Sequence, residues 1–210
     1  MNDALAPSPR RYALSFTTGA LLAREAAMLA PVYLEERDWE RVRNRAVEGN
    51  LLQARTRSTG VRLVRETVAR LSALTGDEVE LLVDTTASER SYLLWVAACR
   101  RYELIGEFAE EVLRERYLTL ALTLGYEDFD SLVRAKALWH EELATIKEST
   151  LQKLRSNVFK MLQEAGLLSD AGYIIPAVLS ERVVATLSAR RPNDMRFFPT
   201  KQTERAGAAR

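Results

Sequence analysis

Gly49-Asn50-Leu51-Leu52-Gln53-Ala54-Arg55-Thr56-Arg57-Ser58-Thr59-Gly60-Val61-Arg62-Leu63-Val64-Arg65-Glu66-Thr67-Val68-Ala69-Arg70 is the stretch that decides how this chain is read. A short helical pattern over 39–48, opened by the capping residue Asp38, stops at Gly49-Asn50, residues suited to ending a helix. A tight turn follows, and a second helix is predicted over about 53–73. Its apolar residues Val61, Val64, Val68 and Leu71 recur at the helical period. Arg55, Ser58, Arg62 and Arg65 fall together on one side of a helical wheel, away from that apolar arc. One face can therefore pack while the other presents guanidinium groups.

That outline is a helix-turn-helix, in which the first helix crosses the DNA backbone and the second enters the major groove. The planar fork of arginine binds phosphate or guanine bidentately. Thr56, Ser58 and Thr59 add hydroxyls at the start of the second helix, where free backbone N–H groups can meet phosphate. The preceding helix contributes Arg41 and Arg45, spaced i, i+4. The same pattern also fits a solvated basic face on a structural helix, or a docking face for an acidic protein partner.

Net charge does not separate these readings, because the chain carries 30 basic and 29 acidic residues. Distribution is more informative. Residues 41–70 hold eight arginines against two acids, Glu48 and Glu66, whereas 101–116 leans acidic. At 47% hydrophobic, 210 residues can build a real core as one large domain or two small ones. The single cysteine, Cys99, excludes an internal disulfide and sits in the apolar run 92–99, where burial is expected. No apolar run approaches the ~20 residues of a membrane helix, and no secretory signal pattern opens the chain. A cytoplasmic protein with no membrane contact is expected.

Residues 1–11 read as a flexible leader and 200–210 as a disordered tail. Between them an all-α, compact multi-helix globule is predicted, with an N-terminal subdomain over 12–125, a C-terminal subdomain over 126–199 and a boundary at Gly125. Thr17 or Thr18 would cap a first helix running to about Glu36, kinked or broken at Pro31. Capping boxes at Thr75–Glu78 and Thr86–Glu89 start helices to Val83 and about Tyr102. Residues 103–122 read as mostly helical, weakened at Gly106. Helices are predicted over 128–146 and 149–165, the latter opened by the box Ser149–Gln152 and closed by Gly166. Ser180 caps a helix to about Ala189, and Phe197-Phe198-Pro199 is expected to dock on the body.

A second helix-turn-helix is a candidate within 128–189. Lys153, Asn157 and Lys160 share one face of helix 149–165, opposite Leu151, Leu154, Val158, Met161 and Leu162. The turn 169–172 and the short β-like segment 173–176 resemble the wing of a winged helix. A helical hairpin with an extended tail fits equally well.

Catalytic chemistry has no clear seat. His140 is the sole histidine, and Trp139-His140-Glu141-Glu142 lacks the second histidine of a metalloprotease motif. A surface or capping role is expected for it. There is no glycine-rich phosphate loop. Glu107, Glu110, Glu111 and Glu115 read as a solvated face, and Trp39, Trp95 and Trp139 as packing residues. A non-enzyme without catalytic residues, metal, cofactor or small-molecule substrate is expected.

Several stretches taken together resemble the BrxA family of bacteriophage-exclusion (BREX) defence systems. They are Ser15–Leu22, Asn50–Thr56, Tyr92–Trp95, Glu111–Glu115, Trp139–Leu143, Ile174–Ala177 and Phe197–Pro199. The resemblance spans about 12–199. It implies an all-helical, non-enzymatic protein that binds double-stranded DNA through helix-turn-helix elements and works beside other BREX proteins. It fixes no individual DNA contacts, so the candidate contacts Arg41, Arg45, Arg55, Thr56, Ser58, Arg62, Arg65, Lys153, Asn157 and Lys160 rest on the helical wheel. A protein–protein adaptor in the same defence complex, docking through helices 53–73 and 103–116, is the alternative.

Overall fold

Local capping chemistry explains several of the helix starts. In the computed structural model, which describes residues 11–16 and 19–201, the Asp38 carboxylate accepts from the Glu40 and Arg41 amides at 2.7 and 3.2 Å and starts α2 (Trp39–Glu48). Reciprocal capping boxes, Thr75 with Glu78 and Thr86 with Glu89, start α4 (Gly76–Val83) and α5 (Ala87–Arg101). Ser180 accepts from the Val183 amide and starts α11 (Glu181–Ser188). The Glu89 carboxyl, hydrogen-bonded first by Ser180 and then by Thr85 and Thr86, is held down to about 2. The start of α11 is thereby fastened to that of α5.

The remaining elements are α1 (Ala23–Glu36), α3 (Arg57–Leu71), α6 (Glu103–Glu107), a π-helical segment (Phe108–Arg114), α7 (Glu115–Leu118), α8 (Tyr126–Lys136), α9 (Glu141–Ala144), α10 (Glu148–Glu164) and a 3₁₀ turn (Asp194–Phe197). Among the described residues the fold is all-α, with two isolated antiparallel bridges and no named strand. The leader over residues 1–10, Thr17 and Thr18, and the tail from 202 onwards lie outside the described residues; α1 starts at Ala23 behind Leu22 without a side-chain cap, so neither threonine caps it.

Several elements depart from the expected boundaries. Helix α1 runs unbroken through Pro31, held on both sides by the buried Leu29, Ala30 and Val32. Residues 103–118 are helical throughout but widen into a π turn, and the helix stops at Leu118. Gly106 is explained by close approach rather than weakness: a Cβ there would lie 3.0 Å from the Cys99 carbonyl oxygen and 3.3 Å from Phe197. The helix predicted over 128–146 is split, because the chain turns at 137–140. That turn leaves Trp139 77% exposed, so it is not a packing residue. Helix α10 starts at Glu148 behind Lys147 without a side-chain cap, so the box at Ser149–Gln152 does not form. Gly166, at φ +69°, follows its end as expected.

The core is continuous from Tyr12 to Phe198 and crosses residue 125 without interruption. Trp95, fully buried, donates its indole N–H to the Phe197 carbonyl at 2.9 Å, which fixes the docked C-terminal segment. Thr200 is buried too, so that segment extends one residue into the predicted tail. Trp39 stacks on Tyr33, with ring centroids 4.0 Å apart. Cys99 is buried, and burial pushes its thiol well above the ordinary range.

His140 is neither a surface residue nor a side-chain cap. Its ring lies 4.1 Å from that of Tyr12, and its Nδ1 is 3.4 Å from Glu142, whose Oε1 accepts from the Tyr12 amide. The face of Glu107, Glu110 and Glu111 is not simply solvated. Glu107 accepts from the Tyr12 hydroxyl at 2.5 Å and pairs with Lys136, Glu111 pairs with Lys136, and Glu110 pairs with Arg196. These acids hold the N-terminal segment, α8 and the C-terminal segment against residues 103–118.

Candidate nucleic-acid interface

Helices α2 and α3 pack against each other, joined by a turn over 49–56 that is longer than the sequence suggests. Asn50 (φ 42°) and Gln53 (φ 51°) take left-handed backbone, which prevents α3 from starting at 53. The Asn50 side-chain oxygen accepts from the Ala54 amide at 3.0 Å, and Leu52 is buried. Gly60 lets this turn close on α3, since a Cβ there would stand 3.2 Å from that of Ala54. Thr56 then caps α3 by accepting from the Thr59 amide at 3.3 Å, and its hydroxyl also donates to Thr59 Oγ1 at 2.9 Å.

These boundaries redistribute the candidate residues. Arg55 belongs to the turn rather than to the helical ridge, and Thr56 is engaged as the cap. Ser58, Arg62 and Arg65 do share the exposed arc of α3. Val61, expected on the packing arc, is instead 41% exposed at its border. The buried arc is Gly60, Val64, Thr67, Val68 and Leu71.

Of the eight arginines in 41–70, two are committed to the fold. Arg70 is buried: its Nε donates to Glu66 Oε1 at 2.8 Å and its guanidinium also reaches the Ala20 carbonyl. The Tyr102 hydroxyl donates to the same Glu66 oxygen at 2.5 Å. Arg45 turns away from α3 and bonds Glu35 and Glu36, at 2.6 and 2.9 Å, the last two residues of α1. Those hydrogen bonds push its pKa above the ordinary value. Arg41, one turn earlier, is exposed and forms no ion pair among the described residues. The α2 arginine beside α3 is Arg43, which lines a shallow depression with Ala69, Ser72 and Ala73. Sequence reasoning passed over Arg43 and Arg57. Membership of the dense arginine run marked both, but the i, i+4 criterion favoured Arg41 and Arg45.

Arg55, Arg57, Arg62 and Arg65 are exposed, and none forms an ion pair among the described residues. The N-terminus of α3 reinforces them. Every other α-helix among the described residues has an acid in its first turn, whereas α3 has none and begins with arginine. An acid there would offset the positive end of the helix dipole; here that end stays electropositive. Arg55, Arg57 and Val61 also border a depression of about 530 Å³ between α3 and the end of α2, with Glu48 on its other side.

The second candidate face is largely occupied by the chain itself. Asn157 donates its side-chain amide to the Phe16 carbonyl at 3.1 Å, and Glu164 on the same stripe accepts from the Leu21 amide at 2.9 Å. The stripe therefore holds the backbone at Phe16 and at Leu21. Lys153 and Lys160 remain exposed on it, Lys160 lying 4.0 Å from Glu164. The opposite side packs as expected, with Leu154, Val158, Met161 and Leu162 buried and Leu151 partly so. Residues 167–175 form a small hairpin through the Leu168–Ile174 bridge, and 122–124 add to it through Thr123–Tyr173. Between Gly166 and Ser180 this wing-like element carries no lysine or arginine, so it offers phosphate no cation.

No group of three or more His, Cys, Asp or Glu among the described residues is placed to hold a metal ion. None of the helices there is long and apolar enough to cross a membrane.

Comparison with known proteins places the chain in a family. The BrxA family model matches residues 10–191. A BREX protein BrxA of Escherichia coli O9:H4 (strain HS) is 26% identical over 165 residues, covering 75% of this chain and 78% of that protein. A BREX protein BrxA of Paramagnetospirillum magneticum (strain ATCC 700264 / AMB-1) is 22% identical over 161 residues, covering 77% and 81%. The crystal structure of an uncharacterized protein from Magnetospirillum magneticum matches the fold with a TM-score of 0.74 at 22% identity, covering 89% of this chain and 97% of that one.

Proposed function

The chain belongs to the BrxA family of BREX phage-defence systems, and from that premise we propose that it is a non-enzymatic, cytoplasmic component that binds double-stranded DNA through α3 and the turn before it. One observation carries this reading: four exposed arginines without acidic partners surround a helix start that itself lacks an acid. Arg55 and Arg57 meet phosphates beside the free N–H groups of α3, and Arg62 and Arg65 extend the contact along the helix. Few amide side chains accompany them, so phosphate attraction dominates affinity and sequence selectivity is weak.

A salt titration of duplex binding tests this. Neutralising about four phosphates predicts a slope of about −4 for log affinity against log salt. Absent binding, or binding indifferent to salt, would remove the reading. The same assay separates the residues by geometry. Arg45→Ala is expected to change affinity less than about twofold, because its guanidinium is already held by Glu35 and Glu36 and surface pairs contribute little. Arg62→Ala, which frees no acid, should weaken binding and lower the slope by about one. Equal losses from both variants would relocate the interface towards α2.

The exposed Leu138–Trp139 corner favours a second role, contact with another BREX protein. The acidic helix is a poor dock, since Glu107, Glu110 and Glu111 are consumed internally. Nuclease-resistant co-purification without a DNA shift would make partner contact the main function.

A further inference from the structure

Val61 is the one large apolar side chain left exposed among the described residues before Leu118. It lies on the only helix among the described residues whose exposed arc is otherwise arginine and serine around an acid-free N-terminus. Valine is a weaker helix former than the alanine, lysine or arginine that such an exposed position would otherwise favour. Arg57 and Arg65 lie four residues before and after it, so the three side chains form one stripe, each about 6 Å of helix rise from the next. That rise is close to two base steps of ~3.4 Å.

Resting on the DNA-binding reading above, we propose that Val61 reads sequence: its methyl groups pack on the C5-methyl of a thymine in the major groove, with Arg57 and Arg65 directed to guanine or phosphate within about two base pairs on either side. Apolar contact with the thymine methyl is the one base-edge interaction in the major groove that needs no hydrogen bond. A valine between two guanidinium forks supplies it. The resulting preference is narrow, one position within a binding mode that phosphate contacts dominate.

The test is selection of bound duplexes from a random-sequence library by the full chain. The dominant selected duplex is then remade with uracil in place of each thymine in turn, which removes only the methyl group. One position is expected to require thymine, with uracil there weakening binding about fourfold, the value of one buried methyl. Val61→Ala should abolish the thymine–uracil difference, and Val61→Thr, which keeps a methyl, should retain part of it. The melting temperatures of both variants are compared with wild type, so that a folding defect is separated from lost readout. Bound duplexes without enrichment, no position sensitive to uracil, or an unchanged thymine–uracil ratio in Val61→Ala would each overturn the assignment and leave DNA binding intact. Failure of the wild-type chain to retain any duplex would instead overturn the DNA-binding reading itself.

Discussion

Arg57→Glu, Arg62→Glu and Arg65→Glu combined are expected to lower duplex affinity at least about a hundredfold while leaving the protein folded. A charge-assisted contact to phosphate contributes at least about 1 kcal/mol, so three together exceed two factors of ten. Reversal adds repulsion between each new carboxylate and the polyanion. The salt slope should fall by about three, leaving Arg55 and distant cations to account for the remainder. These three guanidiniums are exposed and have no acidic partner among the described residues, so no buried charge is stranded by their removal.

The stability control has a definite sign. Glutamate at position 57 falls in the first turn of α3, where a negative charge complements the helix dipole by about 0.3–1 kcal/mol. The triple variant should therefore melt no lower than wild type. Gel-shift or fluorescence-anisotropy titrations, paired with thermal melts, check both halves. A loss of affinity below about threefold would move the interface off α3. Lost binding accompanied by lost folding would contradict the exposure of these side chains.

How much of this site was legible in the sequence depends on the range over which each residue's fate is decided. Asp38, Thr75, Thr86 and Ser180 were read as caps because capping is settled within four residues. The arginine density of 41–70 was equally visible. The start of α3 was misplaced by four residues because left-handed Asn50 and Gln53 lengthen the turn, and neither position carries glycine to announce it. Which α2 arginines lie beside α3 was not legible. Arg41 and Arg45 share a flank by spacing, but packing sets Arg45 against Glu35 and Glu36 and Arg43 beside α3.

Residues paired across long sequence distances were misread for the same reason. Asn157 looks like a free polar side chain on a basic stripe until the segment around Phe16, from the other end of the chain, takes its amide. Glu110 looks solvated until Arg196 reaches it. Trp139 reads as a packing residue within the helix predicted over 128–146. The chain instead leaves α8 at Lys136, and the indole is carried out to solvent.

The largest stability effect is expected at Arg100, whose guanidinium is 5% exposed and uses all five N–H donors. It forks onto both Glu78 oxygens at 2.6 Å, donates to Asp194 Oδ2 at 3.0 Å from Nε and 2.6 Å from its second terminal nitrogen, and reaches the Ala73 carbonyl at 3.0 Å. Glu78 also accepts from the Thr75 amide at 2.7 Å in the capping box of α4. One cation thus joins the start of α4, the end of α5 and the C-terminal segment. Arg100→Met would leave two carboxylates facing each other in a site where their side chains are 4% and 2% exposed. Removing one partner of such a cluster costs about 3–5 kcal/mol, a fall of roughly 6–20 °C in melting temperature for a chain of this length.

The pH dependence follows from Glu78. Burial alone would raise its carboxyl, but the Arg100 hydrogen bonds and the Thr75 amide outweigh burial and hold it below the ordinary 4.5. A carboxyl depressed in the folded state stabilises fully above that ordinary value, and the contribution is lost as pH falls below about 4.5 towards the folded value. Wild-type stability should therefore decline below pH about 4.5. In Arg100→Met the sign reverses. Without the cation, burial and mutual repulsion favour protonated carboxyls, so the deficit against wild type should be widest near neutral pH and narrow on acidification. Urea unfolding across this range measures both. A deficit under about 1 kcal/mol at pH 7, or one that widens as the carboxyls protonate, would show that the three elements are held together by apolar packing alone and that Arg100 only fills space between them.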